Sequence, residues 1–212
     1  MADASFTTFL VDDDPAVLRS ITRLLSAAGY KTKSFSSPQK FLKEHDPSIP
    51  GCAIIDLAMS ELDGLGVQQA LIRNGSNRPI IFLTGRGDVS STVKAMKAGA
   101  VDFLTKPVER EALFSALVNA AEIDTLLRQK HRETASIGER LDTLTHRERQ
   151  VLEHVISGRL NKQIAACLGT VEKTVKVHRG RMMAKLGVRS VADLVRLAEK
   201  AAIEPAQAAP PA

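Results

Sequence analysis

The sequence predicts two fold classes in series, a doubly wound α/β domain with a five-stranded parallel sheet and then a small four-helix domain. Three observations predict it. The first half alternates short β-branched runs with helical patterns, the second half carries helical patterns alone, and the charge is divided unequally between them. Across 212 residues there are 29 Lys+Arg and 24 Asp+Glu, a net +5. Residues 1–121 hold 13 of each, whereas 122–212 hold 16 bases and 11 acids, so the whole excess lies in the second part. Hydrophobic residues at 44% and charged residues at 25% exclude a disordered or collagenous chain. Aromatics at 4%, with no Trp, exclude a platform that stacks bases or sugars.

Taken in order, residues 9–11 read as the first buried strand. Asp14-Pro15 opens the first helix with a capping side chain and a proline at the first helical position, and Gly29 closes it. A weaker strand follows at 30–35, and Ser37-Pro38 repeats the opening device. Residues 51–57 and 79–84 are apolar, β-branched strands. Asp88 and Gly99 bracket a helix over 89–98. A strand at 100–104 and a helix at 109–121 complete five strand-and-helix pairs, which implies a parallel sheet covered on both faces. The first domain is therefore 1–121.

Over 122–143 the apolar pattern thins and charges of both signs crowd in (Asp124, Arg128, Lys130, Arg132, Glu133), as in an exposed helical connector. A four-helix domain spans 144–203. Thr145-x-x-Glu148 is a capping box ahead of Val151, Leu152, Val155 and Ile156. Gly158 stops that helix, Asn161 caps the next through Leu168, a third runs from about 172 to 186, and Ser190 caps the last. The Pro/Ala-rich stretch 204–212 reads as a disordered tail. Cys52 and Cys167 sit in different halves within apolar segments, so they predict buried free thiols in a reducing cytoplasm rather than a disulfide or metal cluster. Residues 1–5 do not begin a signal peptide, and no apolar run approaches the ~18 residues of a membrane span, so a cytoplasmic protein without a membrane partner is expected.

In a doubly wound sheet, functional groups gather at the carboxyl ends of the strands. Asp12 and Asp13 end the first strand, Asp56 the third, Thr84 the fourth, and Lys106 with Pro107 the fifth. Three carboxylates on one rim repel unless a cation joins them, and all-oxygen ligation favours Mg²⁺. A lysine and a hydroxyl beside them narrow the chemistry to phosphoryl groups.

The runs Leu10-Val-Asp-Asp-Asp14, Ile55-Asp-Leu-Ala-Met59, Leu83-Thr-Gly85, Met96-Lys-Ala-Gly-Ala-Val-Asp-Phe103 and Thr105-Lys-Pro107 resemble the receiver domain of two-component response regulators. The resemblance implies that Asp56 takes a phosphoryl group from a histidine kinase. Asp12, Asp13, Asp56 and the backbone carbonyl of Ala58 hold Mg²⁺. Lys106 and Thr84 meet the phosphoryl oxygens, and Phe103 is the aromatic switch residue. At most, such a domain removes its own phosphoryl group; it is not otherwise an enzyme. Where the family usually shows a longer polar residue and a Met-Pro pair, this chain reads Ala58-Met59-Ser60, which implies altered water access, a looser loop and a changed phosphoryl lifetime.

Between 160 and 190 there are seven bases (Lys162, Lys173, Lys176, Arg179, Arg181, Lys185, Arg189) against Glu172 alone, the footprint of a surface that meets phosphates. Two short helices, the second basic, form a helix-turn-helix. The strings Leu144-Thr-x-Arg-Glu-Arg-x-Val-Leu152, Asn161-Lys-Gln-Ile-Ala165, Lys173-Thr-Val-Lys-Val-His178 and Lys185-Leu-Gly-Val188 resemble the LuxR-type DNA-binding domain. The whole is similar to the NarL/FixJ family of response regulators.

At 100° per residue, Val175, His178 and Met182 face the core, with His178 a packing residue. Lys173, Lys176, Val177, Gly180 and Arg181 spread over the other face. The resemblance sets Lys176, Val177 and Gly180 against base edges. Lys173, Arg179 and Arg181 go to bases or phosphates, and Lys162 and Lys185 join the DNA-binding set. Thr170-Val171 replaces the family's usual Ile-Ser, so Thr170 is expected to cap the helix one residue early. The resemblance gives the last helix, with Val191, Leu194, Val195 and Leu197, the family's DNA-bound dimer contact, although such an apolar stripe also suits core packing. The implied function is a phosphorylation-controlled regulator that binds double-stranded promoter DNA as a homodimer. The alternative is a docking or phosphate-sink receiver whose DNA binding ignores phosphorylation.

Overall fold

The computed structural model describes residues 6–85 and 89–206, with only the backbone described for 89–92. The expected cap at Asp88, the N-terminal residues 1–5 and most of the expected tail lie outside the described residues. The chain divides into two compact units, 1–128 and 129–212.

The first unit runs β1 (Thr7–Val11), α1 (Pro15–Ala27), β2 (Lys31–Phe35), α2 (Pro38–Glu44), β3 (Gly51–Asp56), α3 (Gly64–Arg73), β4 (Ile80–Thr84), α4 (Val89–Lys97) and β5 (Asp102–Thr105), then enters α5 (Arg110–Asp142). All strand pairs are parallel, in the order β2-β1-β3-β4-β5. The order reverses direction between β1 and β3, so their carboxyl ends frame the switch-point crevice where such sheets place ligands.

Alternation along the strands builds two cores. Phe9, Val11, Ala53, Ile55 and Phe82 face one way and pack on Phe41 of α2, Val67 and Leu71 of α3 and Ala95 of α4. Leu10, Cys52, Ile54, Ile81 and Leu83 face the other, against Ile21 and Leu25 of α1 and Leu113, Ala116, Leu117 and Ala120 of α5. Asp14 caps α1, its Oδ1 accepting from the Ala16 amide at 2.7 Å, and Ser37 caps α2. The helix between β3 and β4 lacks the proline of those two openings; Asp63 caps it, accepting from Gly66 at 2.7 Å.

The helix expected to end at 121 runs on without interruption through the expected helical connector, so that α5 is 33 residues long in all. Its first turns beyond 121 are not an exposed connector. Asp124 is 5% exposed and accepts from the Gly51 amide at 3.1 Å and from Arg128 Nε at 2.8 Å. Arg128 in turn donates to the carbonyls of Ser48, Pro47 and Ile49. These backbone acceptors belong to the loop before β3 and have no ladder partner, so a planar guanidinium holds them better than water would.

The second unit contains the end of α5, then α6 (His146–Ile156), α7 (Asn161–Cys167), α8 (Glu172–Leu186) and α9 (Val191–Lys200). They close on a core of Ile137, Leu141, Val151, Leu152, Val155, Ile164, Val175, Met182, Leu186 and Leu194. The Thr145–Glu148 capping box forms in both directions. Residues 204–206, expected to begin a disordered tail, are placed, with the Ala206 amide donating to the Glu153 carbonyl at 3.0 Å. Cys52 is a buried thiol, and burial pushes it up to about 12, but Cys167 is exposed, contrary to expectation. It lies on the outer side of a seven-residue helix whose inner side is taken by Ile164 and Ala165.

Candidate functional site

At the switch point, Val11 and Ile55 are register partners, so the residues that follow them, Asp12 and Asp56, emerge side by side. Asp12 is fully buried, Asp56 is 4% exposed, and Asp13 is exposed. Carboxylate oxygens of the three lie within 4.8 Å of one another. Lys106, which follows β5, reaches across the rim: its Nζ donates to Asp12 Oδ2 at 2.7 Å and stands 3.1 Å from Asp56 Oδ1. Asp12 Oδ1 accepts from the Asp14 amide at 2.9 Å.

Three carboxylates and one ammonium leave two formal negative charges in a partly desolvated cluster. Burial raises the Asp12 carboxyl above its ordinary value, and the Lys106 hydrogen bond offsets that only in part. Burial also opposes the Lys106 charge, but Asp12 and Asp56 outweigh it and hold the ammonium above its usual range. Asp56 Oδ1 is buried and accepts no hydrogen bond; its contact with Lys106 has ion-pair distance without hydrogen-bond alignment. A buried carboxylate oxygen met by one ammonium, in a cluster that keeps a net negative charge, is a position that a cation completes, and an all-oxygen donor set of this charge suits a hard divalent ion.

The loop after β3 departs from the looseness expected of it. Met59 is packed in the core, and the Ser60 amide donates to Asp13 Oδ2 at 3.0 Å. A proline at that position has no N–H, so the serine creates the bond that fixes the loop to Asp13. The sequence departure predicts a looser loop, whereas the freed amide ties it to Asp13. Ala58, two residues after Asp56, is exposed. Gly64 opens α3 against the end of β3, where a Cβ would come within 2.6 Å of the Asp56 carbonyl and 2.9 Å of the Phe82 ring. Thr84, 7% exposed, ends β4 on the same rim, and its carbonyl accepts from the Lys106 amide at 2.7 Å. Phe103 on β5 is the register partner of Phe82 and is half-buried.

In the second unit, α7 and α8 form the helix-turn-helix. Gly169, with φ of +60°, lets the chain reverse, and the amides of Gly169 and Thr170 bond back to the carbonyls of Ala166 and Ala165. Thr170 therefore closes α7 and does not cap α8. The cap is Val171, which supplies no side-chain bond, so the expected early start does not occur. Leu160, not Asn161, precedes α7, where Gln163 Oε1 accepts from the Leu160 amide at 2.8 Å. Asn161 instead accepts from Arg179 Nη1 at 3.0 Å and ties the two helices together.

Val175 and Met182 are fully buried, and His178 is half-buried beside a cavity of about 120 Å³ also lined by Arg147, Thr170 and Thr174. Lys162, Lys173, Lys176, Val177, Gly180 and Arg181 are exposed. Two of the sequence-predicted contacts are engaged inside the domain. Lys185 Nζ donates to buried Glu148 at 2.7 Å and to the Thr143 carbonyl at 2.8 Å, and Arg179 holds Asn161. The Lys185 hydrogen bond also keeps the Glu148 carboxyl below its usual range. On α9, Leu194 and Leu197 are buried in the domain's own core, while Val191 is 39% exposed.

Residues 8–118 match the response regulator receiver domain, and residues 142–198 match the luxR family of bacterial regulatory proteins. Nodulation protein W of Bradyrhizobium diazoefficiens is 41% identical over 93% of this chain and 87% of its own length. The response regulator protein TodT of Pseudomonas putida is 42% identical, covering 94% and 88%. The transcriptional regulatory protein FixJ of Azorhizobium caulinodans is 37% identical over 98% of both. Among solved structures, the response regulator StyR superposes with a TM-score of 0.79 at 41% identity, covering 92% of this chain and 99% of that one.

Proposed function

The chain belongs to the NarL/FixJ response regulators, transcription regulators that join a receiver domain to a luxR-type DNA-binding domain, and from that premise we propose that Asp56 is its phosphoacceptor. The supporting observation is the buried Asp56 carboxylate, clustered with Asp12 and Asp13 and ion-paired to Lys106. In this reading an Asp56 oxygen attacks the phosphorus of a histidine kinase's phosphohistidine. The P–N bond breaks as the P–O bond forms, and the electron pair leaves with the imidazole. Such transfer needs positioning and charge neutralisation more than covalent chemistry.

Asp12, Asp13, Asp56 and the Ala58 carbonyl would hold Mg²⁺, which when bound neutralises charge developing on the phosphoryl oxygens. The protein supplies the rest. Lys106 carries the second positive charge, the Thr84 hydroxyl takes a phosphoryl oxygen, and Phe103 follows as the switch. Phosphorylation adds about −1.5 to −2 charge, a local event sufficient to favour a second arrangement of the loop after β4.

DNA is contacted by the exposed cations Lys162, Lys173, Lys176 and Arg181 with Val177 and Gly180, as a homodimer on activation, with half-sites about one helical turn apart. Contact with promoter DNA sets the protein in the compartment of the chromosome, the cytoplasm. Acetyl phosphate with Mg²⁺ is expected to modify wild-type protein on Asp56 and raise its affinity for promoter DNA at fixed salt. D56N is expected to do neither. Continued labelling of D56N overturns the phosphoacceptor assignment, and an affinity that ignores phosphorylation favours a docking or phosphate-sink receiver.

A further inference from the structure

Gln68, in the middle of α3, is 2% exposed. Its neighbours Val67 and Leu71 join Ala95 and Ala100 in the apolar core on that side of the sheet. Glutamine is seldom buried, and its amide costs free energy there unless hydrogen bonds replace those to water. Only one end of the amide is used. Nε2 donates to the carbonyl of Ala98 at 3.2 Å and, at 3.4 Å, to that of Ala95, which also accepts from the Ala100 amide. Both groups are acceptors, so the NH₂ end has to face them. Oε1 is buried and accepts no hydrogen bond from any described residue. Packing alone calls for a methionine or leucine, which would strand no oxygen.

The carbonyls held by Gln68 belong to the helix that follows the loop after β4. Ala98 lies beyond Lys97, the last residue of α4, so no later turn supplies its carbonyl with a donor. Of the described side chains of α4, Ala95 alone is buried, while Val93 and Met96 are each 46% exposed. A helix that buries so little belongs to the low-stability end of its domain. The amide from α3 is therefore a main fixing of its C-terminal end.

We propose that Gln68 is a latch on the receiver's two-state change: its amide holds the C-terminal end of α4 in the arrangement that belongs to unmodified Asp56, and phosphorylation has to break that hold. In the arrangement described, Lys106 donates to Asp12 and stands against Asp56, so its ammonium is committed to the carboxylates themselves. A phosphoryl group on Asp56 draws on Lys106 and Thr84, and the pull passes from Thr84, at the end of β4, through the loop into α4. The inference rests on the phosphoacceptor reading above and adds the residue that opposes the change. Gln68 is a positioning residue, since it acts through α4.

The test uses the full chain with Mg²⁺ and beryllofluoride, an unreactive mimic of a phosphoryl group on aspartate. Q68M keeps the volume and removes both donors. A change that makes the resting arrangement easier to leave raises affinity for the ligand that selects the other one. In calorimetry Q68M is therefore expected to bind beryllofluoride about fivefold more tightly than wild type, the worth of one hydrogen bond. Without beryllofluoride, the amides of α4 are expected to exchange their hydrogens severalfold faster in Q68M, while those of α1 keep wild-type rates. Q68L repeats both measurements should methionine pack badly. A glutamine with a merely structural role would lower the thermal midpoint and leave beryllofluoride affinity unchanged or reduced. That result, or exchange that is unaltered in α4 or raised equally in α1, overturns the latch. Failure of the wild type to bind beryllofluoride, or equal binding by D56N, overturns the phosphoacceptor reading and the latch with it.

Discussion

His45 shows how a single neutral side chain can be dictated by a charged neighbour. Its Nε2 accepts a hydrogen bond from Arg78 Nε at 2.7 Å, a role open only to an unprotonated nitrogen. Arg78 is 7% exposed, lies 4.4 Å over the Phe9 ring and donates to the carbonyls of Asp46 and Ile49, so it has no freedom to withdraw. Burial, and then the Arg78 charge, push His45 down to about 4 from an ordinary 6.5. The unfolded chain therefore takes up a proton on His45 below about pH 6.5 that the folded chain refuses until about pH 4. Stability falls across that window and levels off below it. The expected loss is about 2 kcal/mol, less than the full shift would give because water reaches part of the ring. Urea unfolding of the wild type and H45N between pH 7 and pH 4 measures it, the asparagine keeping an acceptor that does not titrate. Parallel pH profiles for the two proteins would refute the coupling.

Elements were legible where a local signal marks them, and the misses share one cause. Strands, proline-opened helices and the capping box are written within a few residues, and Asp12, Asp13, Asp56, Thr84 and Lys106 could be set on one rim because each ends a strand or follows its end by one or two residues. The Ser60 bond to Asp13, the inward turn of Lys185 to Glu148 and the burial of Asp124 join residues 47, 37 and 73 positions apart, and no window of sequence contains them. Helix α5 shows the consequence. Its segment past 121 reads as solvent-exposed because its charges are counted without their partners, yet Arg128 holds three carbonyls and the buried Asp124. R128A should remove the Arg128 bonds to the Ser48 and Pro47 carbonyls, leave the Ile49 carbonyl to Arg78 and leave a buried carboxylate facing the Gly51 amide alone. The expected cost is about 2 to 3 kcal/mol in urea unfolding, well above the scale of a surface ion pair. D124N retains an oxygen acceptor and should cost less. An R128A value within about 0.5 kcal/mol of wild type would mean that this stretch is the exposed connector its composition suggests.

For the whole molecule, the net +5 conceals a division: residues 145–200 carry 12 bases against 5 acids, and residues 1–121 balance at 13 each. Counting bases overstates the surface that meets DNA, however, because some of those charges maintain the fold. Lys185 is exposed like Lys173, Lys176 and Arg181, but its ammonium neutralises Glu148, which is 2% exposed, whereas those three on α8 stand clear of the domain's core. The Lys176 ammonium stands 3.4 Å from Glu172 in an exposed i,i+4 pair, which is weak enough to yield to a phosphate. Each cation that displaces counterions contributes about −0.9 to the slope of log K against log salt. R181A is therefore expected to weaken binding to promoter duplexes and to flatten the slope by about one unit per bound chain. K185A is expected to leave the slope of its folded fraction unchanged and to lower the thermal midpoint, since it strands a buried carboxylate. Filter-binding titrations across a salt series, paired with thermal melts, separate the two variants. If K185A flattens the slope as much as R181A does, Lys185 turns outward on DNA and its bond to Glu148 is dispensable. If neither does, the charge division is not how this chain finds DNA.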